Sequence, residues 1–136
     1  MTNGGRALKF LETKGYLKID PAAGLIPTIM DVTEYTKDVE IVEMIATQIP
    51  KSLPDIDFAV INNGVAYEAG LTIKDDAITY EDYKEPDMKN YWNIIAAKTE
   101  NIEKEDYQKI LKAYNSDEVK AVVEEIYGGQ NIPVWE

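Results

Sequence analysis

The chain has no cysteine and no histidine among its 136 residues. Without a thiol there is no thiolate catalysis. Without an imidazole there is no Ser-His triad and almost no zinc or copper site, which leaves carboxylates as ligands for hard cations only. The missing cysteines do not fix the redox compartment, because an oxidising environment permits disulfides without requiring them. No apolar run reaches the ~18 residues of a membrane-spanning helix. The residues after Met1, Thr-Asn-Gly-Gly, lack the charged region and apolar stretch of a signal peptide, so none is expected at this start. Positive charge is also scarce, with 14 Lys and Arg against 25 Asp and Glu and a net charge of −11. Such a field repels duplexes and anionic membranes, so nucleic acid is not an expected partner.

The scarcest cation is arginine, present once, as Arg6, against thirteen lysines. It follows Asn3-Gly4-Gly5 at the expected mouth of the first helix. Glycines allow close backbone approach, a helix start offers free N–H groups, and the guanidinium fork grips a carboxylate bidentately. Arg6 is therefore a candidate for an anionic ligand group. The other reading is a surface arginine beside a glycine turn.

At 45% apolar residues the chain suffices for the core of one ordinary domain. Helical periodicity predicts a helix over 6–14, with Ala7, Leu8, Phe10 and Leu11 as its stripe and Gly15 as its stop. Residues 16–19 are ambiguous and 21–27 form a loop. A short helix is expected over 28–35, with Thr28 as cap and Asp31 as its capping-box partner. Strands are expected at 39–44, 58–61, 77–80 and 92–97, and short helices at 46–53, despite Pro50, and at 65–69, stopped by Gly70. Two amphipathic helices follow, 103–114 and 116–127, the second capped by Ser116 and closed by Gly128-Gly129. The alternation implies an α/β sheet flanked by helices, with a helical C-terminal third that belongs to the same lobe or to a second one.

Asn62 follows the apolar run 58–61, at the carboxyl end where open α/β sheets present ligand groups. Asn93 opens the segment 92–97 beside Tyr91 and Trp92. Two amides and one guanidinium suit a zwitterion, with Arg6 on the carboxylate and the amide oxygens accepting from the ammonium. Singly, each asparagine also reads as a turn residue.

Six blocks in one order carry a resemblance over nearly the whole chain: Asn3-Gly4-Gly5-Arg6-Ala7-Leu8, Ala59-Val60-Ile61-Asn62, Glu68-Ala69-Gly70-Leu71, Asn93-Ile94-Ile95, Ser116-Asp117-Glu118-Val119 and Ile132-Pro133-Val134-Trp135. Together they resemble the carboxyl-terminal half of the NlpA/MetQ family of substrate-binding lipoproteins, the extracytoplasmic receptors of methionine-type ABC importers. The resemblance implies an α/β fold class: a type II periplasmic-binding-protein-like lobe with a helical C-terminal segment from the other lobe, incomplete relative to the family. Residues 1–92 would be the second ligand-binding lobe without its leading strand, and 93–136 the hinge strand and C-terminal helices of the first. The implied ligand is L-methionine or a related small amino acid, held by Arg6, Asn62 and Asn93. The implied partners are the importer's membrane subunits, and the implied location is extracytoplasmic, on a lipid anchor in the full-length family. No catalytic residue, metal or cofactor is implied.

The chain departs from the family pattern in lacking the amino-terminal half with its lipid-bearing cysteine. It also has Val65 where a tyrosine is frequent, and a longer stretch over 83–90. A structural or interaction protein that kept the lobe and lost the ligand is the rival reading. Acid pairs such as Asp55 with Asp57 or Asp75 with Asp76 read as solvated, so an enzyme is not expected. Glu81, Asp82 and Asp87 have no EF-hand spacing. Tyr80, Tyr83, Tyr91 and Trp92 line a pocket or pack as core. Apolar positions of the last two helices would face water without an amino-terminal lobe, so a homodimer is expected, by exchange of the C-terminal segment.

Overall fold

The computed structural model describes residues 2–135, apart from the side chains of Thr2 and Asp87. The chain forms two compact units, Met1–Ala69 and Gly70–Glu136. The first contains helix α1 (Thr2–Thr13), strands β1 (Leu17–Ile19) and β2 (Val32–Tyr35), and helices α2 (Ile49–Ser52) and α3 (Asn63–Glu68). The second contains helices α4 (Ile73–Asp76), α5 (Glu105–Tyr114) and α6 (Asp117–Tyr127).

The core of the first unit is built from period. Leu17 and Ile19 point inward from β1 while Lys18 points out, and Leu8 of α1 meets them. Leu11, Ala23, Val32 and Ile41 pack around this cluster. The ladder is antiparallel, pairing Leu17 with Tyr35, Lys18 with Glu34 and Ile19 with Val32, with an irregularity between Lys18 and Ile19. At that irregularity the Ile19 N–H donates to Glu12 Oε1 at 2.8 Å, so a side chain of α1 satisfies a group the ladder leaves over. On the outer face Lys18 Nζ lies 2.7 Å from Glu34 Oε2, a solvent-screened pair worth little. Gly15 turns the chain at φ 75°, a conformation that costs a residue with a Cβ more than it costs glycine.

Helix α1 starts four residues earlier than its periodicity predicts, because Asn3-Gly4-Gly5 coil into its first turn. The reason is tertiary. A Cβ on Gly5 would lie 2.9 Å from the Pro27 carbonyl oxygen and 3.2 Å from the Ile26 Cα, so only a glycine lets this turn rest on that backbone. Gly5→Ala trades up to about 1 kcal/mol of helix propensity against about 1–3 kcal/mol of overpacking. Gly5→Ala is expected to be net destabilising, and Gly5→Val more so. Urea unfolding by circular dichroism checks this, and a Gly5→Ala midpoint at or above the parent would contradict the close approach.

Residues 28–35 are not a helix. Thr28 and Asp31 form the expected capping box, but it closes a single 3-10 turn, Ile29–Asp31, before β2 begins. Val32, Thr33 and Tyr35 favour a strand, and pairing with β1 decides the matter. The Asp31 carboxylate accepts from the Thr28 N–H at 2.7 Å and the Thr28 hydroxyl at 2.8 Å. These bonds, the backbone one first, hold its pKa below the ordinary 3.8. A depressed carboxylate stabilises the fold above its unfolded pKa and loses that contribution as pH falls through the folded value. Asp31→Asn is therefore expected to flatten the acid limb of a stability-against-pH profile below about pH 4 and to leave its neutral region nearly flat. An unchanged acid limb would remove the box as its source.

The strands expected at 39–44, 58–61, 77–80 and 92–97 do not form, and β1 with β2 is the sheet among the described residues. A strand exists only as a paired ladder, and these four runs find no partner. Residues 58–61 are nonetheless half-buried, and Phe58 packs on Tyr16 with ring centroids 5.1 Å apart. The expected helix at 46–53 breaks into 3-10 turns around the four residues of α2, where Pro50 falls at the helix start.

In the second unit the helix ends follow the expected chemistry. Ser116 caps α6 by accepting from the Val119 N–H at 3.3 Å, and Gly128 closes it in the left-handed region at φ 55°. Helix α5 carries Lys109 bridged to Glu105 at 2.7 Å, one turn back. Neither α5 nor α6 contains a buried residue.

Candidate functional site

Arg6 lies in α1 and is half-buried, one turn inside the helix rather than at its mouth. In an α-helix the free N–H groups belong to the first turn, so they lie on the residues before Arg6. The approach that Gly5 permits is to residues 26–27 of this chain. Gly4 has Glu43 Oε1 3.6 Å from its would-be Cβ. Gly5 thus serves close packing, whereas a Cβ on Gly4 would make only an ordinary contact, and the Gly5 approach fixes the backbone beside Arg6.

Asn62 ends the half-buried run 58–61 and is the N-cap residue of α3, with φ −65° and ψ 139°. Its carbonyl accepts from the Ala66 N–H at 3.0 Å, opening the helix. Its side chain makes no capping hydrogen bond. An asparagine here ordinarily turns its amide oxygen onto the N–H groups of the first turn. This one does not, so capping does not occupy its amide.

Asn93 belongs to the second unit and is exposed. It follows a 3-10 turn, Pro86–Tyr91, whose C-cap is Trp92. The Trp92 indole N–H is buried and has no hydrogen-bond partner among the described residues. A buried donor without an acceptor costs about 1–3 kcal/mol, and neither reading of Trp92 from sequence, as pocket lining or as core, gave a sign of it. Lys89 Nζ sits 5.8 Å from the Trp92 ring centroid. Arg6 and Asn62 are thus carried by one unit and Asn93 by the other.

The remaining acidic candidates resolve into local structure. Thr72 caps α4, its hydroxyl accepting from the Asp75 N–H at 3.0 Å, while Asp76 Oδ2 accepts from the Thr72 N–H at 2.8 Å. That pair is therefore a helix start. Asp55 ends a 3-10 turn, and both it and Asp57 are exposed. Asp82 Oδ1 accepts from the Lys84 N–H at 3.0 Å, closing a turn. Among the described residues no three acidic side chains are grouped as metal ligands would be; the Asp87 side chain lies outside them.

The NlpA lipoprotein family model matches residues 1–135. The D-methionine-binding lipoprotein MetQ of Escherichia coli is 39% identical over 136 residues, spanning 98% of this chain and 49% of MetQ. A putative lipoprotein from Ruminococcus gnavus superposes with a TM-score of 0.84 at 38% identity, over 98% of this chain and 55% of its own. A nutrient-binding protein from Burkholderia cenocepacia, solved bound to methionine, superposes with a TM-score of 0.77 at 31% identity, over 98% of this chain and 55% of that one. The chain spans about half the length of the relatives it matches. Matched from one end to the other, it belongs to the NlpA lipoprotein family.

Proposed function

We propose that the chain is the carboxyl-terminal half of the substrate-binding component of a methionine-type ABC importer, working outside the cytoplasm. Arg6 binds the carboxylate of a free amino acid, and the amides of Asn62 and Asn93 accept from its ammonium. The lobe boundary falls at 92/93, with 1–92 forming most of one lobe of a type II binding protein and 93–136 returning to the other. The observation that supports this best is Asn62: an amide at a helix N-cap that does not cap, in a chain whose relatives include a protein solved with methionine bound. A binding protein needs unspent polar groups fixed by rigid elements, and an N-cap backbone fixes this one.

Native mass spectrometry of the purified chain, and calorimetric titration with L-methionine, test the reading. The titration is run on the chain alone and with the portion of Escherichia coli MetQ that it does not match. A retained amino-acid mass, or saturable heat in either mixture, is expected. Neither in both would favour a lobe that has lost its ligand.

The two asparagines give a sharper check. Asn62→Ala and Asn93→Ala should each weaken methionine by about 1–3 kcal/mol, the cost of leaving a buried donor unmatched. Because both serve one ammonium, the double variant should lose less than the sum. Strictly additive losses would assign them to separate places.

A further inference from the structure

The second unit holds a cavity of about 380 Å³, separate from Arg6 and Asn62, which belong to the first. Such a volume suits a small organic molecule. Tyr83, Lys84 and Lys89 line it from the stretch over 83–90, the one that is longer than the family pattern. Trp92 and residues 133–135 complete the lining, so both tryptophans of the chain stand at this cavity.

The charged groups of the lining are all cations. Lys84 Nζ lies 5.6 Å from the Tyr83 ring centroid, and Lys89 Nζ 5.8 Å from that of Trp92. Neither ammonium is ion-paired among the described residues. Nor does a carboxylate line the cavity among them, in a chain with 25 acidic side chains. The Trp92 indole adds an N–H without an acceptor. That N–H is closed to solvent, so a ligand meets it by turning the indole. The remaining wall is apolar, with Pro133, Val134 and the Trp135 ring, which Tyr114 backs at 5.8 Å between centroids. Two ammonium groups and an unused donor call for an anionic acceptor, and the ring and aliphatic wall call for a flat apolar body. We infer that the cavity binds a small aromatic carboxylate, its charge between Lys84 and Lys89 and its ring against Trp135. Inorganic phosphate has the charge without the body. The inference does not rest on the methionine reading.

Benzoate is titrated into the full 136-residue chain and followed by tryptophan fluorescence, since both emitters line the cavity. Saturation is expected with a midpoint below about 1 mM. Benzamide, the same body without the charge, and inorganic phosphate should each bind at least about tenfold more weakly. Lys89→Gln should weaken benzoate at least about tenfold, the loss of a charge-assisted hydrogen bond. Lys89→Arg keeps the cation and should stay within about threefold of the parent. Trp92→Phe, followed through Trp135, removes the donor and should cost at least about threefold. Lys104→Gln, outside the cavity, should change affinity less than about twofold. Lys89 and Lys104 are exposed, so their replacement leaves the chain folded, which circular dichroism checks in parallel. No saturation up to roughly 10 mM would overturn the inference. So would benzamide or phosphate binding as tightly as benzoate, or an affinity indifferent to Lys89→Gln or to Trp92→Phe.

Discussion

Arg6→Ala is expected to remove methionine affinity by about 3–5 kcal/mol, because a buried ligand carboxylate loses its paired cation. That is roughly a hundred- to several-thousand-fold in Kd. The measurement is calorimetric titration of the assembled pair, this chain with the complementary half of a relative. Arg6→Lys separates charge from geometry. It keeps the cation but loses the bidentate fork, and lysine is the cation this chain otherwise uses throughout. It should therefore recover part of the loss, never all of it. Arg6 is half-buried in α1 and makes its own contacts there, so the melting temperature is followed in the same samples. An affinity within threefold of the parent would remove Arg6 from the site. A melting temperature that falls in step with affinity would make the arginine a packing residue instead.

Leu17→Ala is expected to be the most costly change in the core. Leu17 is 1% exposed, and three buried apolar residues, Leu8, Leu17 and Ile19, make up the centre of the first unit. Truncating a buried leucine costs about 2–5 kcal/mol, the upper end when neighbours cannot close the cavity. Here β1 is three residues long and held on one side by a four-residue partner, so the cavity has few walls able to move in. Against an ordinary domain stability of about 5–15 kcal/mol, such a loss threatens the folded state. Lys18→Ala is the internal control. It sits on the same strand, exposed and paired with Glu34, and should cost under about 1 kcal/mol. Urea unfolding by far-ultraviolet circular dichroism ranks the two, and a larger loss for Lys18 would invert the assignment of inside and outside on β1.

What could be read from sequence was what depends on neighbours in the chain. Gly15, Gly70 and Gly128 stand at positive φ where stops were expected. Ser116 caps α6, and Thr28 with Asp31 forms its box. These are contacts across three or four residues, which spacing records. What could not be read depends on distant partners. The box of Thr28 opens a turn rather than a helix because Val32 finds Ile19 across the sheet. Glycines at 4 and 5 argue against helix, and only the backbone at 26–27 explains why helix wins there. The apolar runs at 58–61 and 92–97 have the composition of strands and lack ladders, since composition offers a strand and a partner makes it. For the candidate site the sequence offered residue types, Arg6, Asn62 and Asn93, as a proposal. The state of the Asn62 amide was not legible, because whether a cap residue caps is a matter of geometry.

The contact beneath Gly5 has a mechanical meaning. Two stretches of main chain touch with no side chain between them. Side chains cushion, because a rotamer change absorbs a displacement of an ångström or so before the backbone feels it. Main chain on main chain has no such slack. The opening turn of α1 and the bend at 26–27 therefore behave as one lever, with the guanidinium of the next residue mounted on it. A displacement of residues 26–27 carries Arg6 with it, and under the proposed role a ligand carboxylate paired with Arg6 would pull on a bend it never touches.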